Sequence, residues 1–316
     1  MFSEFIAVLY AVSPLAIIVA VSAFLAKKDI LTEAASGALS SGIIYLFLPC
    51  LIFDKITKGL DPEAMPLWWG IPLTAVVVLI FGGLLSSVVF RKRWRKEPDL
   101  LALGFLHNAG YLIIALGQLL VPEQETLFST YCFLYVLGHS PLLWSVGKWL
   151  ISKQKSEPFQ WRQLITPPLC ANILAITFVL TSARDWIPTP VDKSIEMLGT
   201  VAVPAAFVVL GASLSMIKLH WAEDGSAAFK ATLLKLVILP AVIITVLQAT
   251  GIRETLPILA FMLLLQGTSP QATNLIVQVR SYGGNLRRTG TVLLTGYAAS
   301  LITIPFWIVL WRALGN

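Results

Sequence analysis

Charge is scarce in this chain. Asp, Glu, Lys and Arg make up 13% of its 316 residues, against 57% hydrophobic, and a soluble domain of that length could not cover its surface with so few. By sequence, no carboxylate falls in the middle of an apolar stretch: Asp54, Glu196 and Glu254 sit at the ends of predicted helices. No Lys or Arg is read in the middle of a stretch either. Cys50, Cys132 and Cys170 lie within predicted spans, too few and too buried for a disulfide framework. The chain has three histidines, no His-Glu-x-x-His and no Gly-x-Ser-x-Gly. Ser140 adjoins His139, a spacing that a helix does not align. Intramembrane hydrolysis needs a nucleophile with a base, or a metal cluster. The expectation is therefore no enzyme, no catalytic residue, no metal ligand and no cofactor. A signal peptide is not read either, since residues 1–10 carry Glu4 and no positive charge.

Long apolar runs are what the sequence has in abundance. Ten segments approach the roughly 20 residues needed to cross a hydrocarbon core, near 5–25, 36–54, 67–90, 100–121, 126–147, 164–182, 194–216, 229–249, 255–279 and 289–312. With the N-terminus outside the cytoplasm, the inner loops and flanks hold 17 of the Lys and Arg residues and the outer ones 6. Lys235 is counted among the inner flanks. That imbalance predicts a cell (inner) membrane protein with both termini periplasmic or extracellular. The run Arg91-Lys92-Arg93-Trp94-Arg95-Lys96 reads as a topology anchor beside anionic membrane lipid, and the net charge of +6 needs no nucleic acid to explain it. Trp68, Trp69, Trp94, Trp144, Trp149 and Trp307 suit interfacial belts or packing.

A proline rhythm divides the chain in two. Pro14 and Pro49 are 35 residues apart, and Pro168 and Pro204 are 36 apart. Pro141 and Pro305 form a looser third pair. Five helices per half is an odd number, so the second half enters the membrane in the opposite sense. The predicted fold is an all-α polytopic membrane protein of ten transmembrane helices in a 5+5 inverted repeat. Residues 1–151 form the first repeat, 152–163 a cytoplasmic linker and 164–316 the second. The fourth and ninth spans, at matching positions, are interrupted near their middles. One reads Phe105-Leu106-His107-Asn108-Ala109-Gly110-Tyr111; the other reads Gln266-Gly267-Thr268-Ser269-Pro270-Gln271-Ala272-Thr273-Asn274. Pro270 lacks an N–H, and Gly110 and Gly267 weaken a helix. Paired interruptions of this kind point to a transporter's binding site.

The chain resembles the auxin efflux carrier family, which includes plant auxin exporters and PIN-like bacterial permeases of the bile/arsenite/riboflavin transporter superfamily. Tyr45-Leu46-Phe47-Leu48-Pro49-Cys50-Leu51-Ile52-Phe53 is similar to the family's second-helix element. Pro167-Pro168 opens the sixth helix as in members, and the seventh ends in a similar Val209-Leu210-Gly211-Ala212-Ser213-Leu214. The most specific match is Pro270-Gln271-Ala272-Thr273-Asn274 followed by Tyr282-Gly283-Gly284-Asn285. Asn108-Ala109-Gly110-Tyr111-Leu112 corresponds to the fourth-helix motif. Members commonly carry a proline seven residues after that asparagine, where this chain has Ala115. Without it, bending falls to Gly110 and local polar contacts.

The resemblance implies that broken helices 4 and 9 cross near the bilayer midplane, that small organic anions bind there, and that the protein forms a homodimer. The residues agree on a site. Helix breaks present N–H groups and positive dipole ends to an anion without a buried arginine. Candidate substrate-binding residues are His107, Asn108, Gly110, Asn172, Ser269, Pro270, Gln271 and Asn274, with Thr268 beside them and Gln118 and Gln266 as weaker ones. The same amides serve a neutral substrate equally, or simply cap half-helices. His107 is read either as a substrate or proton group or as a neutral packed histidine, and His139 as structural. The function read from these residues is secondary transport of a small organic anion or carboxylic acid by alternating access. A sodium-coupled organic anion symporter of the bile-acid-carrier type and a non-transporting membrane sensor are the alternatives.

Overall fold

The computed structural model describes residues 2–151 and 165–315, so the predicted linker, 152–163, lies outside the described residues. Among the described residues, six helices are long and apolar enough to cross a membrane: α1 (Phe2–Lys27), α2 (Glu33–Gly59), α3 (Trp68–Val89), α8 (Thr189–Ser215), α9 (Trp221–Ala249) and α12 (Leu286–Ala313). Between them lie α4 (Asp99–Phe105), α5 (Tyr111–Leu120), α6 (125–151), α7 (Pro167–Leu180), α10 (Pro257–Thr268) and α11 (Asn274–Tyr282). Among the described residues there is no β-strand, only one isolated bridge between His107 and Gln271. The protein is thus an all-helical, multi-pass membrane protein.

Prolines and π turns inside these helices leave carbonyls without their usual donor, and the fold supplies others. Pro240 in α9 cannot donate to the Leu236 carbonyl one turn back. The helix widens into a π turn over Leu234–Ile238, and the indole Nε1 of Trp307 in α12 donates to that carbonyl at 2.7 Å. In α6, Pro141 precedes a π turn over Leu143–Gly147. There the buried Gln278 of α11 donates through Nε2 to the Leu143 carbonyl at 3.0 Å. In a bilayer, where no water can serve that carbonyl, such side-chain donors fix which helices sit together.

The turn Tyr282-Gly283-Gly284-Asn285 shows why its residues are needed. Gly283 and Gly284 have φ of 83° and 125°, backbone that side chains resist. Asn285 then caps α12, its Oδ1 accepting from the Arg288 N–H at 3.0 Å. This places Arg288 among three carboxylates: Glu97 at 2.6 Å, Asp99 at 3.0 Å and Asp224 at 3.3 Å. The starts of α4, α9 and α12 are bound together at this point. Arg287 adds a second bond to Asp224 at 2.8 Å. The hydrogen bond from Arg93, with the Arg288 charge added, holds the Glu97 carboxyl below its ordinary range against the opposing pull of burial.

Candidate functional site at the crossing of two broken helices

Two helices stop in the middle of the molecule and restart. The first stops at Phe105, where Leu106 turns extended at φ −75°, ψ 115°, and restarts at Tyr111 after Gly110. The second stops at Thr268, where Ser269 is extended at φ −69°, ψ 135°, and restarts at Asn274. Backbone exposed in this way must find partners, and each break finds the other. The Asn108 N–H donates to the Pro270 carbonyl at 2.9 Å, and the Ala272 N–H donates to the Leu106 carbonyl at 3.1 Å. His107 and Gln271 face each other in antiparallel register. This pairing explains why Ala115 suffices where a proline is common: the first helix is already broken at Leu106, five residues before Tyr111, by exchange with the second. Ala115 itself lies in ordinary, buried helix.

Side chains complete the exchange. Ser269 Oγ donates to the Asn108 carbonyl at 2.6 Å, and Gln266 Nε2 donates to the Ala109 carbonyl at 3.0 Å. Asn108 Nδ2 donates to the Tyr297 hydroxyl of α12 at 2.8 Å. The buried Gln271 side chain rests on Gly296 of the same helix, where a Cβ would strike its Oε1. His107, fully buried, faces α6: its ring centroid is 4.5 Å from that of His139. Its Nε2 is 3.2 Å from the Tyr135 hydroxyl and its Nδ1 3.4 Å from the Phe105 carbonyl. That geometry fits the Nδ1–H tautomer, with Tyr135 as donor to Nε2.

The structure brings His107, Asn108, Gly110, Ser269, Pro270 and Gln271 to the crossing, with Thr268 buried at the end of α10. Asn274 is the exposed first residue of α11. Asn172 is placed elsewhere, buried in α7 with Nδ2 donating to its own helix at the Pro168 carbonyl, 3.0 Å away. Gln118 lies towards the far end of α5, 3.4 Å from Glu125.

One sequence reading is corrected outright. A lysine does lie in the middle of a span: Lys235 of α9 is fully buried, with Nζ 3.3 Å from the Gly267 carbonyl and 3.5 Å from that of Gln266. By sequence the span starts at 229 and Lys235 falls in its inner flank, whereas α9 begins at Trp221. Tyr135, Tyr297 and Phe207 are further residues that sequence reasoning missed. Each is an aromatic in an apolar helix, and only the fold shows what it meets.

A cavity of about 20 Å³ adjoins the crossing, room for about one water molecule. Asn108, Tyr111 and Leu112 line it from the first broken helix and Thr273 from the second. Ala206, Phe207 and Leu210 of α8 close the opposite side. The positive ends of α5 and α11 start at this cavity's wall.

Two interrupted helices that exchange backbone bonds inside an apolar helical protein are the arrangement expected of a membrane transporter, and the family match makes the chain one, not an enzyme. The chain belongs to the membrane transport protein family, that of the auxin efflux carriers, whose family model matches residues 7–150 and 152–308. It is similar to an uncharacterized transporter of Methanocaldococcus jannaschii, 23% identical over 296 residues, covering 92% of this chain and 94% of that one. Protein PIN-LIKES 1 of Arabidopsis thaliana is 20% identical over 347 residues, covering 89% of this chain and 73% of its own length. Protein PIN-LIKES 7 of the same plant is 18% identical over 373 residues, covering 92% and 93%.

Proposed function

We propose that the protein is a secondary carrier that moves a small organic anion or carboxylic acid across the cell membrane by alternating access at this crossing. The observation that carries the reading is the cavity itself. It lies where α5 and α11 begin, so a carboxylate there meets two positive helix ends and the Asn108 and Thr273 side chains. Across the cavity stand only Ala206, Phe207 and Leu210, an apolar face suited to the organic part of the substrate. One water-sized volume is too small for such a molecule, so this conformation is closed around the site. Binding then requires α8 and the crossing helices to part, which is a motion of one bundle against the other. In this reading the chain has ten spans in two inverted halves, and both termini are periplasmic or extracellular.

Purified protein in liposomes adsorbed to a solid-supported membrane tests the reading. A panel of small carboxylates is applied at fixed sodium and pH, and a saturable current for one of them is expected. With folded protein, no current and no binding for any member of the panel would overturn the anion reading.

A further inference from the structure

We infer that Lys235 is a built-in cation, its ammonium occupying the place at the crossing where a co-transported monovalent cation would otherwise sit. The inference rests on reading the crossing as a carrier's site and adds to it how the charge of the second half-helix is balanced. α10 ends at Thr268 with its last carbonyls directed into the protein, the negative end of a helix dipole. In an unbroken helix the Gln266 carbonyl would accept from residue 270. That residue is Pro270, which has no N–H to give. The next carbonyl, Gly267, would accept from Gln271, whose backbone instead runs extended opposite His107. Lys235 Nζ lies 3.5 and 3.3 Å from these two oxygens.

Half-helix carbonyls at a transporter's midplane are the type of group that coordinates sodium. Here a lysine of a neighbouring helix reaches them first. The Lys235 side chain is entirely buried, and among the described residues no ion pair joins it to a carboxylate. A buried ammonium is costly unless dipoles or charges compensate it, and the orphaned end of α10 is the compensation on hand. The consequence is a carrier that needs no sodium. A cation tethered to α9 stays with the protein through the cycle, so only the substrate crosses.

The test reads melting temperature in detergent, so it needs neither a substrate nor flux. Wild-type protein and Lys235→Ala are melted in choline chloride, sodium chloride and methylammonium chloride at equal ionic strength. Wild type is expected to be indifferent to the cation. Lys235→Ala is expected to melt lower in choline and to recover with sodium or methylammonium. The recovery expected is on the order of 5 °C at one hundred times the dissociation constant. Lys235→Met, which keeps much of the stem's volume, replaces the alanine variant if the latter is not recovered folded. Sodium stabilisation of wild type would overturn the inference. So would a folded variant that ignores every small cation. Absence of any carboxylate current, with the melting pattern as expected, would instead sink the carrier reading and leave the cation assignment standing.

Discussion

The side-chain amide of Asn108 donates to the hydroxyl of Tyr297 at 2.8 Å. That bond joins the first broken helix to α12 and uses one of the two N–H donors of the Asn108 amide. The second is left to donate to a carboxylate in the cavity that Asn108 lines. Tyr297 is thus a positioning residue. Tyr297→Phe removes one neutral hydrogen bond, worth ~1 kcal/mol, and lets the amide turn. The expected outcome is a rise of about fivefold in the half-saturating concentration of a transported carboxylate, with maximal current little changed. An unchanged half-saturation would show that the amide is held by other means.

Arg288 is held to a different standard because its partners are buried. Asp224 and Asp99 are only 2% and 7% exposed, and Arg288 bonds both. Arg288→Ala strands the buried Asp99 and leaves Asp224 with Arg287 alone, and is expected to cost roughly 3–5 kcal/mol of stability. Denaturant or thermal unfolding in detergent measures it. A loss below 1 kcal/mol, as for an exposed pair, would contradict the buried network.

Glu97 gives that network a pH dependence whose sign follows from its bonds. Its carboxyl is held below the ordinary value of 4.5 by the Arg93 hydrogen bond and, after burial's opposing effect, by the charge of Arg288. The unfolded chain therefore binds the proton more readily than the folded one. The contribution is fully present above the unfolded value and fades as pH falls through the lower folded one. The Glu97 side chain is 30% exposed and that of Arg93 42%, so the gain is small, under about 1 kcal/mol. Glu97→Gln is expected to melt lower than wild type at neutral pH, the two curves converging below pH 4.5. Divergence on acidification would contradict the sign.

The breaks were legible because Gly110, Pro270 and runs of amides are poor company for a transmembrane helix. That the breaks exchange backbone bonds was not, since register between residues 107 and 271 depends on how distant segments fold together. Lys235 was misread for a local reason. Ala222-Glu223-Asp224-Gly225 looks like a loop before an apolar run, but Arg287 and Arg288 neutralise Asp224 and the helix extends back to Trp221. Fourteen further residues then carry Lys235 about 21 Å along the axis. Asn172, a polar residue after a double proline, is placed away from the crossing, with its amide nitrogen bonded to its own helix.

That contrast supplies the most direct test of the central claim that the crossing forms the carrier's anion site. Saturable carboxylate currents are compared for wild type, Asn108→Ala and Asn172→Ala, each reconstituted at equal folded amount. The account predicts current in wild type and Asn172→Ala, and a loss of roughly tenfold or more in Asn108→Ala, the worth of one hydrogen bond to a charged group. Undiminished current in Asn108→Ala, or equal loss in both variants, would place the site elsewhere.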